Sequence, residues 1–234
     1  MRTFILTALL AASSISLADS LKEANTLLDK GEWQSASSMA AGLGSSDGYA
    51  VAAKANTLGA SVSAEAARKA LLEKAQGYAN QAIKLNDANA NGYFELARAD
   101  GRLAQFVGIL QSLGLAKDIK AALGKAIELD PKYDEAYVAL GLWNAELAAK
   151  GFMVAAATGA SAGQVIPNFE KAISLAPGVI AHRLEYANAL LDLNKTSNRA
   201  AATAQLQKAV ALTPQTYWDK QDQAAAQKKL NDLQ

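Results

Sequence analysis

The sequence predicts an all-α fold in which antiparallel helix pairs stack side by side into a right-handed solenoid. Hydrophobic residues make up 51% of the chain and aromatic residues only 6%, and much of the difference is alanine, the residue with the highest helix propensity. No stretch alternates with a period of two for long enough to predict a strand. In addition, one short helical pattern recurs four times along the chain.

The recurring pattern is a block of the form Ala-Ile/Val-x-Leu, which we interpret as the last turns of a helix. In the last three copies a proline follows the leucine by two residues and prevents the helix from continuing. The anchoring alanines Ala82, Ala126, Ala172 and Ala209 are separated by 44, 46 and 37 residues. These spacings exceed the tetratricopeptide period of about 34 residues and fit that repeat with insertions between paired helices.

A second motif, typical of the first helix of a tetratricopeptide pair, follows the block. It consists of an aromatic residue, a leucine and a small residue, as in Tyr137, Leu140 and Gly141. The preceding unit keeps Tyr93, Leu96 and Ala97, while the following unit is degenerate and keeps only Tyr186 and Ala187. The small residue allows neighbouring helices to approach closely.

These signals predict eleven helices with boundaries uncertain by roughly 2–4 residues. They lie at about residues 20–30, 33–42, 47–58, 64–85, 89–107, 115–129, 133–150, 164–175, 178–193, 198–212 and 216–233. Ser20 and Glu23 form a plausible capping box for the first helix. The segment Gly151–Gly163, rich in small residues, is either a loop or an extension of the helix before it.

Residues 2–18 have the pattern of a secretory signal. Arg2 precedes an apolar run at Phe4–Ala12, and Ser16, Leu17 and Ala18 form a small-x-small cleavage site. We expect cleavage after Ala18, which leaves a single tetratricopeptide-repeat domain at 19–234 in a periplasmic or secreted location. The alternative is an uncleaved anchor. No later segment reaches transmembrane length without charges, so the processed chain is expected to lack an integral membrane segment.

The charge balance argues against polyanionic partners. The chain carries 23 basic and 22 acidic residues, a formal net charge of +1, so no bulk field would gather nucleic acid. The chain also lacks cysteine, so no disulfide can stabilise the exported fold. We therefore expect a fold held by helix packing and no nucleic-acid partner.

Residues for catalysis or metal binding are scarce. His182 is the only histidine, and without cysteine the usual zinc ligand sets cannot form, so we expect no metal, no cofactor and no catalytic residue. We interpret His182 as a surface residue in the first turn after Pro177. The acidic pairs Asp134/Glu135 and Asp219/Asp222 are interpreted as charges that stabilise helix N-termini.

The order of the motifs is similar to that of a narrower family. The run from Ala116 to Pro131, the segment from Ala136 to Leu147 with Trp143, and the later Asn168–Ala172 together resemble the regulator of microtubule dynamics family. The resemblance implies an α-helical repeat domain that binds partners and has no catalytic site. A cleaved secretory signal would place the chain away from microtubules, so the resemblance does not identify the partner.

The first helix of each pair should line the concave face of the solenoid, where unpacked side chains can contact a ligand. Projecting the repeat offsets gives the candidate binding residues Asn91, Phe94, Arg98, Arg102, Glu135, Val138, Leu142, Glu146 and Asn188. Arginine offers a planar donor fork for carboxylates, and asparagine can pair with an extended backbone. A competing interpretation ties Arg98 to Glu95 across one helical turn. Trp218 could cover the open end of the array or contact a partner.

Three functions are compatible with these observations. The first is a non-enzymatic scaffold that binds a protein or peptide in its concave groove. The second is a ligand-binding repeat subunit associated with a solute transporter, which predicts a closed pore or pocket and a homo-oligomeric ring. The third is an enzyme that uses carboxylates alone, which requires two acids facing one cavity with raised pKa values.

Overall fold

The computed structural model describes residues 16–106 and 109–233, and these residues form twelve α-helices and no strand. Two short 3-10 turns, at Ala104–Phe106 and Ala162–Gln164, connect neighbouring helices. The helices in chain order are α1 (Leu17–Asp29), α2 (Trp33–Gly42), α3 (Ser46–Val62), α4 (Glu65–Leu85), α5 (Ala90–Leu103), α6 (Ile109–Leu129), α7 (Asp134–Ala149), α8 (Phe152–Thr158), α9 (Val165–Leu175), α10 (Ile180–Leu193), α11 (Arg199–Ala211) and α12 (Tyr217–Asp232).

Polar side chains fix the start of several helices by accepting hydrogen bonds from otherwise unpaired backbone N–H groups. The Ser45 hydroxyl accepts from the N–H of Gly48 at 3.1 Å, and the Asn89 side chain accepts from the N–H of Gly92 at 3.2 Å. Thr216 begins α12 with a reciprocal capping box, because the side chain of Asp219 accepts from the backbone of Thr216 in return. These caps place the helix starts close to the predicted positions.

The predicted all-α architecture is confirmed, and each of the eleven predicted helices is present. Three details differ. Helix α6 begins at Ile109, six residues before the predicted start. Helix α1 begins at Leu17, ahead of the predicted start near residue 20, and its cap is Ser16, whose side chain accepts from the N–H of Asp19. The segment Gly151–Gly163, left open above, contains the additional helix α8. The repeat motifs carried no signal for that helix.

The helices form successive pairs, each a first helix and a second helix packed against it. The pairs are α1 with α2, α3 with α4, α5 with α6, α7 with α9, and α10 with α11, and α12 follows as an unpaired first helix. The first helices pack on one another in the series α1, α3, α5 and in the series α7, α10, α12. Phe94 and Tyr133, with ring centroids 4.9 Å apart, join the two series.

The repeated alanines lie where helices touch. Ala82, Ala126, Ala172 and Ala209 are all fully buried, as the repeat interpretation requires. A side chain this small lets the backbones approach closely, so these alanines set the distance between neighbouring helices. The buried residues of α7, α9, α10, α11 and α12 form one continuous cluster, and those of α5, α6 and α7 form another.

Gly141 marks the tightest contact between α7 and α9. A Cβ atom at this position would lie 2.7 Å from Cε2 of Phe169, closer than atoms pack in proteins. The Phe169 ring is fully buried and stacks on Tyr186 of α10, with centroids 4.8 Å apart. The contact therefore fixes the relative positions of three helices.

The insertion between α7 and α9 folds back onto the array. Two glycines with positive φ, Gly151 at 103° and Gly159 at 71°, allow the chain to turn before and after α8. The Asn144 side chain accepts from the N–H of Ser161 at 2.8 Å and anchors the return. Phe152 and Met153 at the start of α8 are 86% and 84% exposed.

The predicted signal segment falls almost entirely on residues 1–15, which lie outside the described residues. Within 16–106 and 109–233, no helix combines the length and apolar character that crossing a membrane requires. Cleavage after Ala18 stays a prediction.

The contact at Gly141 leads to a direct test of the packing. Replacing Gly141→Ala should lower the free energy of unfolding by about 1–3 kcal/mol, because the added methyl group collides with the buried Phe169 ring. The matched control is Gly124→Ala in α6, where an added Cβ meets nothing within 4 Å. The control should raise stability by about 0.5–1 kcal/mol through helix propensity. Urea denaturation measures both, and equal effects of the two substitutions would contradict the packing.

Candidate functional site

The structure divides the predicted binding residues into exposed and buried groups. Phe94 and Val138 are buried, so their side chains offer no surface to a partner. The other seven are at least partly accessible: Asn91, Arg98, Arg102, Glu135, Leu142, Glu146 and Asn188. Glu146 forms a surface ion pair with Lys150, one turn later on the same helix, at 2.8 Å.

A charged network joins the first helices α3, α5 and α7. The Arg98 guanidinium contacts the Glu95 carboxylate at 2.7 Å, as the competing interpretation of Arg98 proposed. Arg98 also donates to the backbone carbonyl of Lys54 at 3.5 Å, and the Lys54 ammonium lies 3.4 Å from the Glu135 carboxylate. Opposite charges therefore alternate across three helices, which fixes how these helices face one another.

Glu95 is the most deeply buried member of this network, with its side chain 2% exposed, against 17% for Arg98. Burial raises the pKa of Glu95, and the positive charges of Arg98 and Lys54 oppose this rise. A buried carboxylate without a cation beside it would be costly. Arg98 is therefore committed largely to Glu95, and it is less available to a partner than its sequence position suggests.

A pocket of about 300 Å³ lies beside this network. It is bounded by α1, α3 and α5 and by the residue that precedes α7. Its polar lining includes Asn25, Lys54, Asn91, Glu95 and Tyr133. Asn91 is exposed here, so its amide can donate to and accept from an extended backbone.

A second polar cluster lies on α10 and α12. The Asn188 amide donates to the Glu185 carboxylate at 3.0 Å and accepts from the Lys229 ammonium. Asp222, on the same helix as Lys229, has its pKa raised to about 6. Burial is the main cause, followed by the negative charges of Glu185 and Asp219, and Arg102 acts in the opposite direction.

Arg102 connects the two clusters. Its side chain is exposed to solvent, yet loss of hydration lowers its pKa, and the positive charge of Arg98 lowers it further. The carboxylates of Glu185 and Asp222 act in the opposite sense, so both lie within electrostatic range of Arg102. The charge of Arg102 is therefore influenced by residues of both clusters.

We use the name concave groove for the surface that carries the pocket, the network on α3, α5 and α7 and the cluster on α10 and α12. Its residues are Lys54, Asn91, Glu95, Arg98, Arg102, Glu135, Glu185, Asn188, Asp222 and Lys229. Sequence reasoning missed Lys54, Glu95, Glu185, Asp222 and Lys229 as lining residues. Glu185 is three residues before the predicted Asn188 and shares its helix face, so the helical period could have found it. Lys54 lies on a helix without a repeat motif, so its register could not be set from the sequence.

His182 was expected at the surface, and this expectation is wrong. Its side chain is only 2% exposed, and its Nε2 atom lies 3.2 Å from the Asp134 carboxylate across the α7 and α10 interface. The first turn of α10 faces α7 because successive first helices pack on one another. A buried imidazole cannot reach a substrate, so His182 acts in packing rather than as an acid or base.

The groove can bind through hydrogen bonds and ion pairs. Among the described residues, no group of three or more His, Asp or Glu side chains is arranged to hold a metal ion. Amides, carboxylates and cations alternate along the groove, a pattern suited to a ligand that offers both donors and acceptors, as a polypeptide backbone does.

The titration of Asp222 predicts a dependence of stability on pH. The folded pKa of about 6 exceeds the value of 3.8 for an aspartate free in water, so the folded state binds this proton more tightly. Stability from this group is present at acidic pH and is lost as pH rises through the folded pKa. Asp222→Asn should therefore raise the melting temperature at neutral pH, by an amount equivalent to about 1 kcal/mol after solvent screening.

The advantage of Asp222→Asn should shrink as pH falls below 6 towards 3.8, the pKa of an aspartate free in water. Asp232→Asn, at the exposed end of the same helix, is the control and should leave the pH profile of the native chain unchanged. Melting curves over this pH range make the comparison. An advantage of Asp222→Asn that is the same at every pH would contradict the assignment.

Known structures share this fold at low sequence identity. The crystal structure of TTC0263, a thermophilic tetratricopeptide-repeat protein from Thermus thermophilus, superposes with a TM-score of 0.66 at 16% identity. The match covers 91% of this chain and 100% of that protein. The structure of YrrB, described as a tetratricopeptide-repeat protein with an unusual peptide-binding site, is 17% identical, with 92% and 94% of the two chains covered. The two chains superpose with a TM-score of 0.44.

Sequence comparison gives the family. No curated protein sequence matches the chain at a significant level. The family model described as Regulator of microtubule dynamics protein 1-3 matches residues 49–234, which covers most of the chain and nearly all of its helix pairs. The resemblance seen in the order of the motifs is thereby confirmed. The chain belongs to the regulator of microtubule dynamics protein 1-3 family.

Proposed function

We propose that this protein is a non-enzymatic scaffold that binds a segment of another protein in its concave groove. The observation that carries the proposal is the polar lining of the pocket bounded by α1, α3 and α5, continued by the ion pairs that join α3, α5 and α7. Charged and amide side chains cluster here and again on α10 and α12, and a packed core would not require them. A lining of this kind supports binding of a polar, extended ligand.

Two residues are best placed to contact such a segment. Asn91 is exposed at the pocket between α1, α3 and α5, and its amide can pair with a peptide N–H and C=O. Arg102 is exposed farther along α5, and its guanidinium can take a carboxylate in bidentate fashion. The two side chains are separated by three helical turns, a distance spanned by only a few residues of extended peptide.

We further propose that the protein works after export from the cytoplasm. The support is the basic start, apolar run and small-x-small site within residues 2–18. In that location a partner other than a microtubule is required. Cleavage after Ala18 would leave α1 with Asp19 as its first residue, and the groove residues would be retained because the first of them along the chain is Lys54.

The two other hypotheses make different predictions. A transporter-associated subunit should form a homo-oligomeric ring, which the mass of the purified chain in solution would show. A carboxylate-only enzyme should turn over substrates, and the acids to replace are Asp222 and Glu185, because these share the groove and influence each other's charge. The scaffold proposal predicts no activity on a broad hydrolase panel.

The proposal is tested by selecting peptides that bind the purified protein from a displayed library and measuring their affinity by fluorescence anisotropy. Arg102→Glu should weaken a selected peptide by about tenfold or more, because it reverses the charge of the exposed guanidinium on α5. Arg102→Gln should have a smaller effect in the same direction. Circular dichroism confirms that each variant is folded.

The charge-matched control is Lys84→Glu, on the exposed end of the second helix α4 and outside the groove. This variant should bind the selected peptide with the native affinity. Equal weakening by Lys84→Glu and Arg102→Glu would place the interface elsewhere, and the absence of any selected peptide would contradict the proposal.

A further inference from the structure

The two ends of the helix array are in contact. The indole N–H of Trp218, in the first turn of α12, donates to the backbone carbonyl of Leu28 at the end of α1, at 2.7 Å. These residues are 190 positions apart in the sequence. The Trp218 ring also packs in the cluster formed by Leu28, Trp33 and Leu58 from the first three helices. The last helix therefore docks on the first pair.

The neighbouring Tyr217 makes a second, equally close contact. A Cβ atom on Gly31 would lie 2.6 Å from Cγ of Tyr217, so the ring occupies the space that a side chain at position 31 would need. Gly31 has a φ of 86° as well, which favours glycine in its own right. The rings of Tyr217 and Trp218 meet edge to face at 5.0 Å. Both aromatic residues at the start of α12 thus fit the turn between α1 and α2.

The meeting of the ends encloses the groove. Helix pairs are antiparallel, so the first helices all run in the same direction around the array. The start of α12 meets the end of α1, so the array forms one superhelical turn whose two ends are in contact. Arg102 lies on the same stripe of α5 as Asn91 and Glu95, which line the pocket bounded by α1, α3 and α5.

We infer that Tyr217 and Trp218 close a single chain into a ring, and that the enclosed groove accepts only an extended segment of a partner and excludes a folded domain. This inference rests on the proposed function for the identity of the ligand as a polypeptide. It goes beyond that function because an open solenoid could also bind the surface of a folded protein. The transporter hypothesis expects a closed pore from an oligomer, whereas here one chain provides it.

The lining suits a chain of mixed charge. Lys54, Glu95, Arg98 and Glu135 largely neutralise one another on one side of the interior. Arg102, Glu185 and Asp222 add one cation and two carboxylates on α5, α10 and α12, and the charges of both carboxylates act on the Arg102 guanidinium. A bound segment that places an acidic side chain near Arg102 and a basic side chain near Asp222 pairs with both of these charges.

Enclosure can be tested without a ligand, because the chain has no cysteine of its own. One cysteine is introduced in the interior by Arg102→Cys, and one outside by Lys84→Cys on the exposed face of α4. Each variant is labelled with N-ethylmaleimide and with a long polyethylene glycol maleimide. The polymer should react at least about tenfold more slowly at position 102, relative to the small reagent, than at position 84.

Opening the ring should remove this difference. In the Arg102→Cys background, Tyr217→Ala with Trp218→Ala should restore the polymer rate to that at position 84. Trp218→Phe, which keeps the packing but loses the hydrogen bond to Leu28, provides a milder variant and should give an intermediate rate. Circular dichroism verifies the helical fold. Equal relative rates at positions 102 and 84 in the otherwise native ring would overturn the inference.

A second arm separates this inference from the proposed function. A selected peptide is compared with the same peptide joined at both ends to small folded domains. The closed ring should bind the free peptide and bind the doubly blocked form at least about tenfold more weakly. The Tyr217→Ala/Trp218→Ala variant, in which the ring is open, should bind both forms with the same affinity. Equal binding of both forms by the native protein contradicts enclosure. Failure to bind any peptide contradicts the proposed function and leaves the labelling result to decide enclosure.

Discussion

The arrangement of the array depends on how closely neighbouring helices approach at their small residues. At Gly141 the backbone of α7 leaves room for the ring of Phe169 and for nothing larger, and the buried alanines of the repeat blocks set the spacing of the other pairs. Interiors of this kind are packed at crystal density, so a difference of one methyl group changes the angle between helices. That angle is repeated from pair to pair, and small changes in it decide whether the two ends of the chain meet.

The same packing explains why charged side chains lie in the interior of the array. First helices bury one stripe against their pair and another against the next first helix, which leaves the remaining stripe facing inwards. On α5 this stripe carries Asn91, Glu95, Arg98 and Arg102, spaced at three or four residues. The deeply buried Glu95 is paired with Arg98, whereas the charge of Arg102 is influenced by carboxylates on other helices. The interior is therefore polar and held in place by its own ion pairs.

Sequence reasoning was most successful where the chemistry is local. Prolines, caps and the Ala-Ile/Val-x-Leu blocks located the helices and the fold, and the order of the motifs identified the family. It was less successful for the groove, because the helical period selects a face without stating how deeply each residue is buried. Phe94 and Val138 lie on predicted offsets and are buried, and Lys54 lies on a helix that has no motif. The contact of Trp218 with Leu28 spans 190 residues, and no local pattern could have indicated it.

Helix α8 is a second feature that the sequence patterns did not predict. Its residues are apolar except for Thr158, and its position is set by two glycine turns and by the hydrogen bond from the Ser161 N–H to the Asn144 side chain on α7. A sequence of this composition is compatible with a loop or a helix, and tertiary contacts select between them. The insertion and the contact of α12 with α1 both depend on residues that are distant in the sequence.

Closure of the chain on itself depends on the hydrogen bond from the Trp218 indole to Leu28. Hydrogen exchange of the tryptophan indole N–H groups, followed by nuclear magnetic resonance, tests this closure. Trp143 provides an internal standard, because its buried indole donates to the carbonyl of Ala116 at 2.8 Å within the array. The closed ring predicts that the Trp218 indole is protected to a degree comparable with that of Trp143. Exchange of the Trp218 indole at the rate of a free indole, with Trp143 still protected, would contradict the closure.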